Sequence, residues 1–286
     1  MSGQLVLVAT PIGNLGDISD RMRSVLATAD IIACEDSRHS GRLVKYMGIT
    51  SPHYMVVNEH TERDSCMRIV EAITAGKTVA LITDAGTPGI SDPGSVVVRA
   101  VIDAGLSVSA VPGPAALIMA LVISGLPTTR FVFEGFLPRS GRERTARLAD
   151  IAVETRTIVF YEAPHRVART ITDLAEVCSV DRVVVLAREL TKMHEEIWRG
   201  SMAEAVARFD DASPTGTAPI GEFVVVLAGA EQPKEADDDA IRDALGDAFS
   251  AGASTRDAVD LVVKKLGVAK RIAYRIALAL NEEGRS

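Results

Sequence analysis

The stretch Thr83–Gly94, TDAGTPGISDPG, follows the apolar run VALI at 79–82. Three glycines, two prolines and two aspartates in twelve residues stop any helix or strand from running through it. A segment so stiff and so bare of side chains can present backbone N–H and C=O groups to a ligand at close range. Four other unusual loops also follow apolar runs: TPIGNLGD after LVLVA, CEDSRHS after DIIA, PGPAA after SVSAV, and YEAPHR after TIVF. Any one of them could be an ordinary turn. Five with the same placement point to a shared cleft, because ligands of parallel sheets gather beyond the carboxyl ends of the strands. Small residues at 86, 87, 115 and 116 (Gly86, Thr87, Ala115, Ala116) suit a compact, folded ligand read by main chain.

The motifs that are missing narrow the ligand class. GxGxxG and GxxxxGK[ST] do not occur, so a nucleotide-phosphate cradle has little support. There is no HExxH, HxH or CxxC, and the five histidines are scattered, so no metal is expected. GxSxG is also missing, which removes the commonest serine-hydrolase signal.

The elements that must position these loops read as two α/β sets. In the first, strands at 5–9, 30–34, 54–57, 78–82 and 107–111 alternate with helices at 20–29, 37–47, 64–75 and 94–104. Ser19 and Thr61 are placed as N-caps. That alternation predicts a largely parallel sheet. The second set has strands at 131–136, 157–161, 182–187, 196–200 and 222–228. Its helices, at 142–153, 165–177 and 201–209, alternate with them less regularly. The Gly-Leu-Pro-Thr-Thr stretch at 125–129 marks the boundary between the sets. Beyond a polar linker at 228–239 come three helical segments at 239–250, 255–266 and 270–282. The expected domains are 1–125, 126–230 and a small helical 239–286.

With 286 residues, 47 % hydrophobic and 24 % charged, the chain is expected to build real cores. The longest apolar run, AALIMALVI at 115–123, is too short to span a membrane, and the N-terminus lacks a basic leader. Three widely spaced cysteines read as buried thiols of a reducing cytoplasm. A net charge of −7 argues against bulk coating of nucleic acid but leaves room for a local basic surface.

Seven segments occur in order: TPIGNLGDIS, ACEDSRHSGRL, ITDAGTPGISDPG, VPGPAAL, FEGFLPR, TIVFYEAPHR and ARELTKMHEEI. Together they resemble the ribosomal RNA small subunit methyltransferase I family of the tetrapyrrole-methylase superfamily, from about residue 4 to residue 228. The resemblance implies two α/β domains with S-adenosyl-L-methionine folded between them, a C-terminal helical domain and a homodimer. It also implies methyl transfer to a cytidine ribose 2′-hydroxyl in the decoding region of 16S rRNA, within the small ribosomal subunit. By the same resemblance Pro11, Asp84, Gly86, Thr87, Ile90, Ala115, Ala116, Tyr161 and Glu162 bind the cofactor. Thr87 stands where the superfamily commonly has Asp.

Methyl transfer from a sulfonium to a hydroxyl demands alignment above all, with help from a base or a cation. Asp36, His39, Asp84, Glu189 and Lys192 are the titratable residues on the candidate loops. Lys192, with its charge suppressed by burial, and Asp36 are the catalytic candidates, though positioning alone could suffice. Six basic residues (Arg256, Lys264, Lys265, Lys270, Arg271, Arg275) face two acidic ones between Ser254 and Asn281, a net +4. Arg139, Arg142, Arg144 and Arg147 add charge at 138–147, and Arg38, His39, Arg166 and Arg188 sit on cleft-side loops. Such groups contact phosphates without reading sequence. With 4 % aromatic residues to stack bases, shaped and assembled RNA is the expected partner. A tetrapyrrole methylase would need the same cleft without the basic tail. A non-catalytic assembly factor would show a damaged cofactor loop.

Overall fold

The computed structural model describes residues 3–50, 52–57, 62–209, 220–231 and 237–283. The chain forms two compact units, Met1–Ala230 and Glu231–Ser286. The first unit contains two five-stranded sheets.

The first sheet is built from β1 (Gln4–Val8), β2 (Ile31–Cys34), β3 (Tyr54–Val56), β4 (Thr78–Leu81) and β5 (Ser107–Val111), in the order β3-β2-β4-β1-β5. All its pairings are parallel. Alternate residues of its strands enter two separate cores. Leu5, Ile31, Val79 and Leu81 pack under α3 (Glu62–Thr74) and α4 (Ser95–Asp103). Val6, Val8, Ile32 and Ile82 pack under α1 (Asp20–Thr28) and α2 (Ser37–Tyr46). This period-two partition is what a sheet covered on both faces requires. Ser19 caps α1 by accepting from Met22 N at 3.1 Å. Thr61, the other expected cap, lies outside the described residues.

The chain leaves β1 toward β2 and β3, returns through β4, and crosses to β5 on the far side of β1. The loops after β1, β4 and β5 are therefore neighbours at the carboxyl edge, where the strand order switches direction.

The second sheet comprises β6 (Phe131–Phe136), β7 (Thr157–Glu162), β8 (Val183–Arg188), β9 (Glu196–Ser201) and β10 (Phe223–Leu227), in the order β6-β7-β10-β8-β9. Only β6–β7 is parallel, and the other three pairings are antiparallel. This explains the irregular strand–helix alternation in that half. One face packs on α6 (Gly141–Val153), α7 (Pro164–Val177) and α8 (Met202–Phe209). The other face packs on α5 (Ala116–Ser124). The apolar run at 115–123, too short to span a membrane, forms this helix. By packing, α5 goes with the second sheet although it precedes Gly125.

The unit Glu231–Ser286 contains α9 (Asp238–Ser250), α10 (Thr255–Leu266) and α11 (Lys270–Glu283) around a core of Ile241, Leu245, Val259, Val262 and Ile276. Ser254 caps α10 by accepting from Asp257 N, and Gly267, at φ +67°, ends it.

Candidate active site

A cavity of 490 Å³ opens where the carboxyl-edge loops of the first sheet meet β7, β10 and the start of α7. Its floor is fixed by backbone. Thr10 N donates to Gly86 O at 2.9 Å and Gly86 N donates back to Thr10 O at 3.1 Å, which staples the loop after β1 to the loop after β4. Gly86 has φ +77°, a conformation side chains resist, and a Cβ there would lie 3.4 Å from Ile12 Cγ2. Thr87 Oγ1 donates to Pro114 O at 3.0 Å and so ties in the loop after β5. The Thr87 hydroxyl is thus spent on holding two loops together.

Ala115 and Ala116 form one wall and Tyr161 with Phe136 another. The Tyr161 hydroxyl accepts from Leu117 N at 3.3 Å, which locks that wall to the first turn of α5. Phe136 reaches its place through a register shift between Phe133 and Phe136, where Gly135 at φ +62° inserts an extra residue. Its ring centroid lies 5.6 Å from that of Tyr161.

Eight of the nine residues expected at the cofactor (Asp84, Gly86, Thr87, Ile90, Ala115, Ala116, Tyr161 and Glu162) line this cavity. Pro11 does not; it lines an adjoining cavity of 600 Å³ together with His39 and Lys192. Ile12, next in sequence, lines both. The Glu162 carboxylate is turned inward. It accepts from Thr170 Oγ1 at 2.7 Å and Ala163 N at 2.9 Å, and it pairs with Arg166 at 3.1 Å. This carboxylate sets the entry of α7.

The cavity is acidic on one side. Asp92 lines it with Glu35 and Asp84, and burial followed by the charges of Glu35 and Asp84 pushes the Asp92 carboxyl up to about 6. Asp84 Oδ1 is buried with no hydrogen-bond partner. Asp92, Glu35, Phe136 and Glu222 were missed in the sequence. Asp92 had a signal, since it sits inside the stiff loop; Glu222 is brought in only by the antiparallel β10.

The catalytic candidates need correction. Asp36 lines neither cavity: it caps α2, accepting from Arg38 N at 2.8 Å, and pairs with the Arg38 guanidinium. Those bonds hold its carboxyl far below the usual carboxylate range. Lys192 is not a suppressed cation. Its Nζ lies 2.8 Å from both Glu189 Oε1 and Glu222 Oε2, and despite partial burial these partners raise its pKa. It is a charged ammonium whose stem lies on Gly13, where a Cβ would sit 2.4 Å from Lys192 Cγ. Glu189 and Thr191 beside it, and Ser91 in the cavity, hold left-handed backbone at φ +50°, +67° and +59°. Such strain gathers where the chain shapes a site.

Among the expected RNA contacts, three arginines are engaged elsewhere. Arg144 is buried, pairing with Asp173 and donating to Pro138 O and Thr170 Oγ1. Arg166 donates to Leu137 O and pairs with Glu162, and Arg188 pairs with Glu196 and donates to Ile220 O. A guanidinium saturated in this way has little left for a phosphate. Arg139, Arg142, Lys264, Lys265 and Arg271 are exposed, whereas Lys270 pairs with Asp260, Arg275 with Asp238 and Arg147 with Glu134. Arg38 and His39 are exposed on α2.

Residues 4–206 match the family of Tetrapyrrole (Corrin/Porphyrin) Methylases. The chain is 42% identical over 284 residues to "Ribosomal RNA small subunit methyltransferase I" of Synechocystis sp., covering 99% of this chain and 100% of that one. It is likewise 42% identical over 287 residues to the protein of that name from Pseudomonas aeruginosa, covering 100% of this chain and 99% of the relative. Among solved structures, the fold is similar to a cobalt precorrin-4 methyltransferase (TM-score 0.55, 18% identity, 79% of this chain and 95% of that one). It is also similar to a uroporphyrin-III C-methyltransferase from Thermus thermophilus complexed with S-adenyl homocysteine (TM-score 0.52, 15% identity, 79% and 96%).

Proposed function

This chain belongs to the tetrapyrrole methylase family and, within it, to the ribosomal RNA small subunit methyltransferase I family, and on that premise we propose that it methylates a cytidine ribose 2′-hydroxyl in the decoding region of 16S rRNA, using S-adenosylmethionine. The observation that carries this reading is the end-to-end likeness to the rRNA methyltransferases combined with a cavity floored by small residues. Its volume lies in the usual range of about 300–1,000 Å³ for sites that bury a small molecule. The Gly86–Thr87 turn and the Ala115–Ala116 wall would hold the folded cofactor. Tyr161, Phe136 and Ile90 would cover its flat face, and Asp84 and Asp92 would face its positive charge. When bound, the cofactor supplies an electrophilic methyl group on a sulfonium.

The chain's own part is to align the acceptor and steady charge. The Lys192 ammonium, held by two carboxylates, is a fixed cation beside the cavity. Residues 1–125 and 126–230 are read as the domains that frame the cavity, and the helical 239–286 as an RNA-binding element. Arg139 and Arg142, with Lys264, Lys265 and Arg271, are the exposed cations offered to phosphates.

A second copy of the chain is the proposed cover for α5. Ile118, Met119, Val122 and Ile123 are exposed on that helix, an apolar face a lone chain would leave wet. The assembled enzyme would work in the cytoplasm, where ribosomal particles are available.

The reading is tested by offering radiolabelled S-adenosylmethionine with 30S particles lacking the modification, beside a uroporphyrinogen. The expected result is label in 16S rRNA alone; label in the tetrapyrrole alone would sink the proposal.

A further inference from the structure

The two cavities share a wall. Ile12, Asp84, Ala85 and Glu222 line both, but their other linings differ in chemistry. The 490 Å³ cavity is walled by small residues, apolar groups and carboxylates. The 600 Å³ one is bordered by His39, Arg42, Tyr46 and Lys192. Three of these lie on one face of α2, since positions 39, 42 and 46 recur at three and four residues. Asp36 caps this helix, which accounts for its place in the sequence motif.

That face is built for something other than the core. Tyr46 is 61% exposed, and no aromatic ring packs on it among the described residues. Arg42 is exposed and has no carboxylate partner among the described residues, unlike Arg38 one turn earlier. Leu15, on the opposite lip, is 44% exposed. A flat ring and a guanidinium without an ion-pair partner among the described residues, set around one hollow, match the base and the phosphate of a nucleotide. Asp84 stands where the hollow meets the cofactor cavity, with one oxygen buried and unpartnered.

We propose that this second cavity receives the target ribonucleotide, with its base on Tyr46, its phosphate at Arg42 and its ribose hydroxyl at Asp84. The inference rests on the methyltransferase reading and adds where the acceptor sits and which residues seat it. Balance requires the hydroxyl to lose its proton as its oxygen bonds to the methyl carbon. The Asp84 carboxylate takes that proton, and the electron pair of the broken carbon–sulfur bond stays on sulfur. Lys192, already neutralised by Glu189 and Glu222, stays protonated throughout.

The test compares wild type with Tyr46→Ala, Tyr46→Phe, Arg42→Glu and Asp84→Asn on 30S particles. Wild type must first label 16S rRNA, and failure there overturns the function itself, before any variant is compared. Tyr46→Ala and Arg42→Glu are expected to raise KM for the particle at least about tenfold, the scale of one lost base stack. Cofactor affinity by calorimetry should stay at the wild-type value, which also reports an intact fold, and Tyr46→Phe should restore KM. Asp84→Asn should lower kcat at unchanged particle affinity, measured by sedimentation with S-adenosylhomocysteine bound. Unchanged KM in both Tyr46→Ala and Arg42→Glu would overturn the placement. Unchanged kcat in Asp84→Asn would overturn its role as proton acceptor.

Discussion

Gly86 shows how little freedom single positions have at this site. Its φ of +77° strains any side chain placed there, a Cβ would already touch Ile12 Cγ2 at 3.4 Å, and the same backbone staples two loops through Thr10. Forcing Val there costs about 1–3 kcal/mol of backbone strain and disturbs the floor on which the cofactor is proposed to lie. Gly86→Val is therefore expected to weaken S-adenosylmethionine binding at least about fivefold by calorimetry, the lower end of that cost. Asp92 gives a pH signature. Its folded-state pKa of about 6 lies above the ordinary carboxyl value, so the folded chain holds a proton that the unfolded chain has released. The contribution of this group to stability is therefore full below about pH 4 and falls as pH rises through about 6. Asp92→Asn should raise Tm at about pH 8 and leave it unchanged near pH 4, as read in thermal melts. A variant with the same Tm as wild type at both pH values would mean that the carboxyl is not strained by its neighbours. If the ionised form faces the positively charged ligand as proposed, affinity for S-adenosylmethionine should climb between about pH 5 and 7, and affinity for uncharged-sulfur S-adenosylhomocysteine should climb less.

At the scale of elements, the stiff loops were legible because Gly, Pro and Asp state their backbone needs locally. The parallel order of the first sheet followed from its regular alternation with helices. What stayed hidden depends on long-range partners. The run at 115–123 is apolar on every side, so periodicity could not mark it as α5. β10 enters antiparallel from beyond residue 220 and brings Glu222 to a wall set by residues far earlier in the chain. Arginines were the least legible of all. In the segment 138–147 the sequence offers four alike, yet Arg144 turns inward to Asp173 while Arg139 and Arg142 remain exposed. The two kinds separate by experiment. Arg144→Ala leaves Asp173 short of its buried partner and should cost about 3 kcal/mol in denaturant unfolding. Arg139→Glu with Arg142→Glu should leave stability near wild type and weaken binding of 30S particles, with a shallower salt dependence. Equal stability loss in both would contradict the division.

Over the whole molecule, basic surface is local. In a chain of net −7, Lys264, Lys265 and Arg271 of the helical unit are exposed and stand free of ion pairs among the described residues. Reversing these three to Glu is expected to raise KM for 30S particles while leaving cofactor affinity unchanged. Unaltered KM would remove the helical unit from the RNA-binding surface. Val122→Glu, on the exposed face of α5, should shift the chain toward monomer in sedimentation if a second copy covers that helix. An unchanged sedimentation pattern would place any dimer contact elsewhere.

On the proposed function, the cavity delivers a methyl group to one ribose of ribosomal RNA. The most direct measurement is to react 30S particles lacking the modification with S-adenosylmethionine carrying a deuterated methyl group, digest the 16S rRNA to nucleosides and weigh them. The heavy methyl is expected in 2′-O-methylcytidine from a decoding-region fragment and in no other nucleoside. A heavy methyl on a base, or rRNA left unlabelled while S-adenosylmethionine binds, would contradict it.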